Sequence, residues 1–98
     1  MPPLSPTGLT CLADARLKAL CALLMRHAGY RVVEADNVEA AAAVLETQAI
    51  ELLIVGEIAD PDDRLSPIAR ERKIRCVRLA PSARIESILR VSELLGLT

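Results

Sequence analysis

The 98 residues are 52% apolar, yet Phe and Trp are absent and Tyr30 is the only aromatic, so one small domain must close around Leu, Val, Ile and Ala. A net charge of −1 and the lack of stacking platforms exclude nucleic acid as a bulk-charge partner. The longest apolar run, Ala19 to Met25, is far too short for a membrane span.

Residues 1–8 hold three prolines and a glycine and read as a flexible lead-in, without the basic and apolar regions of a secretion signal. The domain is expected over residues 9–98. Gly8 to Ala13 is a short apolar run suited to a strand. Asp14 follows and can cap a helix by accepting backbone N–H groups. From Ala15 to Ala28, Leu17, Leu20, Cys21, Leu24 and Ala28 recur at helical spacing, and Gly29 stands where a left-handed residue ends a helix. His27, in the last turn, is suited to terminal carbonyls rather than to proton transfer.

Tyr30 to Ala35 reads as the second strand. Asp36 and Asn37 are both candidate caps for an alanine-rich helix from Val38 to Thr47, with Asp36 and Glu39 spaced like a capping box. Ile50 to Gly56 is apolar and ends on glycine, the pattern of a central parallel strand buried on both faces. Asp60-Pro61 looks like a helix start. Pro67 requires Ser66 to leave the helical region, so a short third helix is expected from Pro67 to Lys73. Ile74 to Leu79 forms a fourth strand whose Arg75 and Arg78 suit an edge. A last helix is expected from Ala83 to Leu95. Strands alternating with helices predict an α/β fold with a parallel sheet and helices on both faces.

The chemistry-bearing residues are few. Cys11, Cys21 and Cys76 lie in apolar segments with no CxxC and read as buried thiols of a reducing, cytoplasmic compartment. The sequence has no P-loop, GxGxxG, metal-ligand cluster or catalytic triad, so no enzyme, metal or cofactor is expected. Asp14 and Asp60 could hold a cation weakly, but helix capping explains both. Charge is uneven: residues 61–98 carry 5 acids and 8 bases, all but one of the bases Arg. Guanidinium forks suit phosphates.

Ala28-Gly29-Tyr30-Arg31-Val32-Val33-Glu34-Ala35, Asn37-Val38-Glu39-Ala40-Ala41 and Glu51-Leu52-Leu53-Ile54-Val55 closely resemble segments of response-regulator receiver domains, the flavodoxin-like modules of two-component signalling. Ala13-Asp14-Ala15-Arg16-Leu17 resembles the family's first loop and helix start. The resemblance covers about residues 9–80 and implies a sheet of order 2-1-3-4, with about four strand–helix units and a fifth missing or truncated.

The resemblance also implies a site, and here the sequence departs from it. The family takes a phosphoryl group on an Asp at the end of the third strand, beside Mg²⁺ held by two first-loop acids. The first-loop pair is Ala13 and Asp14. The acceptor position is Gly56 counted from Glu51, or Glu57 counted back from Pro61. The family's Thr or Ser corresponds to Ala80, and its Lys would fall beyond Thr98.

A degenerate receiver follows, regulating a histidine kinase or another signalling protein by contact and without phosphorylation. With a fifth unit missing, apolar surface on the first and third strands would be bare and would favour a homodimer. Two alternatives remain. Asp62, Asp63, Arg64, Arg75, Arg78 and Arg84 could bind a cyclic dinucleotide of the c-di-GMP type, or Glu57 or Asp60 could serve as an atypical phosphoacceptor.

Overall fold

A computed structural model of the chain describes residues 6–80. The elements run β1 (Thr7–Cys11), α1 (Ala15–His27), β2 (Arg31–Ala35), α2 (Val38–Thr47), β3 (Leu52–Gly56), α3 (Leu65–Glu71) and β4 (Arg75–Leu79). All strand pairs are parallel, and the sheet order is β2-β1-β3-β4. The fold class and the strand order are those the sequence predicts. The expected helix from Ala83 to Leu95, and Arg84 within it, lie outside the described residues.

Local chemistry accounts for the element ends. Asp14 Oδ1 accepts the N–H groups of Arg16 (2.9 Å) and Leu17 (3.1 Å), which fixes the start of α1. At its other end Tyr30 N–H donates to the Met25 carbonyl and Gly29 N–H to that of Arg26, with Gly29 at φ +94°. That left-handed turn is open to glycine without strain and sends the chain straight into β2. The α2 cap is Asn37, whose Oδ1 accepts from Ala40 N–H at 2.8 Å; Asp36 instead faces Lys18. β1 begins inside the expected lead-in, because Arg31 N–H donates to the Pro6 carbonyl and Glu51 N–H to that of Thr7.

The third helix differs from expectation. Residues 57–64 form turns rather than a helix opening at Asp60-Pro61, and α3 starts at Leu65. Pro67 is the third helical residue, where no intrahelical N–H bond is lost. Ser66 is helical despite preceding it. The Asp60 carboxylate accepts from Arg64 and Leu65 N–H, both at 2.9 Å, and Ser66 Oγ bonds the Asp63 carboxylate; these bonds offset the pre-proline cost.

The sheet separates two apolar layers. On one face, Leu9, Cys11, Leu53 and Val55 pack with Ala41 and Leu45 of α2 and with Leu65 and Ala69 of α3. On the other, Leu52, Ile54, Val77 and Leu79 pack with Cys21 and Met25 of α1 and with Leu12. Every residue of β3 is buried. Among the described residues, β3 is buried throughout and β1 from Gly8 onward, so neither strand shows a bare apolar face there. α1 lies close on β1: a Cβ at Gly8 would come within 2.0 Å of Met25 Cε.

Candidate functional site

In an open parallel sheet, ligands meet the carboxyl ends of the strands. There, Leu12, Ala13 and Asp14 follow β1, Gly56 closes β3 with Glu57 and Ile58 after it, and Leu79 and Ala80 end β4. Together with Leu17 of α1 these residues line a small cleft of about 80 Å³. The fold thus gathers Asp14, Gly56, Glu57 and Ala80 into one place.

What fills that place is apolar. Gly56, not Glu57, is the last residue of β3. A Cβ at Gly56 would stand 3.2 Å from Leu12 Cδ2, so the Leu12 side chain occupies the space next to the strand end. Leu12 is 2% exposed, whereas Ile58 on the rim is 63% exposed. Asp14 is turned to the backbone of α1 as its cap. Leu12 was not singled out in the sequence; the signal is its place directly before Ala13-Asp14, at the mouth of the first loop.

Charge collects one step away, in the β3–α3 loop. Asp60 is fully buried, and each of its carboxylate oxygens accepts one backbone N–H of the helix opening. Arg78, reaching over from β4, donates from Nη2 to the Asp60 carbonyl at 2.7 Å and from Nη1 to Asp63 Oδ1 at 3.1 Å. The same guanidinium lies 3.8 Å from Asp60 Oδ2 and 4.0 Å from Glu57 Oε1. One arginine therefore balances three carboxylates and ties the loop to the edge of β4.

Of the residues considered for a dinucleotide, Asp63 and Arg78 bond each other at 3.1 Å, and Arg84 lies outside the described residues. Arg64 pairs with Glu39 at 3.2 Å; the Glu39 backbone bond and, after it, this pairing lower that carboxyl from its ordinary value. Arg78 is committed to the loop acids, Asp63 bonds Arg78 and Ser66, and Asp62 is exposed. Arg75 and Arg78 stand three residues apart on β4 and so point to opposite faces of the sheet.

The three thiols are free. Burial pushes Cys21 up to about 11 and also raises Cys11 and Cys76, which suits core residues rather than nucleophiles. Among the described residues no group of His, Cys, Asp and Glu is arranged to hold a metal ion, and no helix is long and apolar enough to cross a membrane.

Strand order, parallel pairing and helices on both faces define a flavodoxin-like, receiver-type fold. No protein-family model and no curated protein matches the sequence. Among solved structures, the chain is similar to a response regulator from Thermotoga maritima, with a TM-score of 0.69 and 17% identity over 92% of this chain and 78% of that one. At that identity the likeness establishes the fold.

Proposed function

We propose that this chain is a non-enzymatic, receiver-like signalling module that works by contact, with a histidine kinase or another signalling protein as its partner. It takes no phosphoryl group at the end of its middle strand. The observation that carries this reading is Gly56 at the end of β3, with Leu12 filling the space beside it. Phosphoryl transfer to a receiver depends on positioned charge. A cleft walled by Leu12, Leu17, Ile58 and Leu79 supplies little of it.

Glu57 and Asp60 do not replace the missing acceptor. Glu57 stands beyond the strand end near Arg78, and Asp60 spends both oxygens on the α3 backbone. The half-apolar rim suits a protein surface, with exposed Ile58 as an anchor. Incubation with acetyl phosphate and Mg²⁺, read by intact mass, tests the reading. The expected mass is unchanged; a gain of one phosphate would overturn it.

A further inference from the structure

Ser66 lies outside the strand-end cleft, in a groove between α3 and β4. The groove holds about 290 Å³ and is lined by Ser66, Arg70, Ile74, Cys76 and Arg78. Ser66 and Arg70 are four residues apart on α3 and so share a face; Cys76 and Arg78 share a face of β4. The two pairs meet where Ser66 Oγ lies 3.8 Å from Cys76 Sγ. Ser66 Oγ and Arg78 Nη1 both bond the same oxygen, Asp63 Oδ1. Arg70 has no side-chain partner among the described residues. Asp63 itself is held at φ +53°, a backbone region that non-glycine residues seldom adopt.

We propose that Ser66 is a phosphorylation site, and that a phosphoryl group on it draws Arg78 away from the β3–α3 loop. A protein serine kinase with a nucleoside triphosphate would supply the group. The Ser66 Oγ–phosphorus bond forms, the bond from the γ-phosphorus to its bridging oxygen breaks, and the nucleoside diphosphate leaves with that oxygen. The hydroxyl proton passes to the kinase base.

The product carries roughly −1.5 to −2 charge at neutral pH. It repels Asp63, the present partner of Ser66, and faces Arg70 and Arg78 across the groove. Arginine forks bind phosphate more strongly than a single carboxylate contact. The more highly charged phosphate outcompetes Asp63 and the Asp60 carbonyl for the Arg78 guanidinium, so those bonds are exchanged for the phosphate. The loop carrying Glu57 and Ile58 then loses its tie to β4. That this changes partner contact rests on the function proposed above; the exchange of bonds does not.

The test is the full chain, made by chemical ligation with phosphoserine at position 66. Three measurements need no partner: circular dichroism, ³¹P NMR titration, and amide exchange over residues 57–64. The expected chain is folded. Its phosphate ionises below the ordinary value near 6, and Arg70→Ala moves that value back up. Exchange in the loop rises by about tenfold relative to the unmodified chain. A phosphate that titrates like free phosphoserine, unchanged loop exchange, or an unfolded phosphorylated chain would each overturn the proposal. Partner contact left unchanged by the phosphate, with these results intact, would count against the contact function alone.

Discussion

At the carboxyl ends of its strands the molecule places two neighbouring regions built on opposite principles. The cleft between β1 and β3 is apolar: Leu12 packs beside Gly56, and Leu79 closes the far side. The β3–α3 loop is ionic: Glu57, Asp60 and Asp63 surround the Arg78 guanidinium. A sheet end can therefore be filled by side-chain volume or by paired charge, and the two carry different energetics. The Leu12 and Leu79 side chains that fill the cleft carry no group that titrates or exchanges partners. The ionic loop holds a buried carboxylate whose desolvation is offset only while its partners stay in place.

Breaking the ionic region has the largest expected effect. Arg78→Ala leaves buried Asp60 without its cation and Asp63 without its tie, and is expected to cost about 3 kcal/mol in urea unfolding. A cost below about 0.5 kcal/mol, the range of an ordinary surface change, would mean that the loop stands without the clamp.

Away from both regions, in the core layer under α1, Cys21 supplies a pH test. Its folded value is raised to about 11 from 9.0, so the unfolded chain releases this proton first as pH rises. Stability is whole below pH 9 and falls between 9 and about 11, by about 2 kcal/mol from this thiol. Cys21→Ala should flatten that part of the curve, and an equal slope in both chains would contradict the burial.

Gly56→Asp places charge in the apolar cleft. The new Cβ must displace Leu12 Cδ2 from 3.2 Å, and among the described residues no cation lines the cleft. A loss of about 1–2 kcal/mol is expected, with no phosphate gained from a small donor. The smallest effect is at Lys73, held at φ +58° where α3 ends: Lys73→Gly should stabilise by about 0.5 kcal/mol, read from the thermal midpoint.

The outline of the fold was legible because it rests on local chemistry. The cap at Asp14, the left-handed Gly29 and the apolar run ending at Gly56 each announce an element from neighbouring residues. The start of α3 was not, since Asp60-Pro61 imitates a helix opening. Asp60 does cap the helix, but from five residues before Leu65, through a loop that Arg78 holds from another strand. Long-range pairing leaves no trace in spacing. Positive φ at Asp63 and Lys73 was equally hidden, because neither is glycine. At the site, the sequence singled out Gly56, Glu57, Asp14 and Ala80, which the fold brings to one strand-end cleft. It could not tell that Leu12 would turn inward against Gly56.

A strand-end cleft closed to a phosphoryl group and its metal is central to the proposed function. Amide NMR of the full chain, titrated with beryllofluoride and Mg²⁺ as a phosphoryl mimic, reads that region directly. Unchanged signals at residues 12–14 and 56–58 are the predicted result. Saturable shifts at those positions would contradict the account.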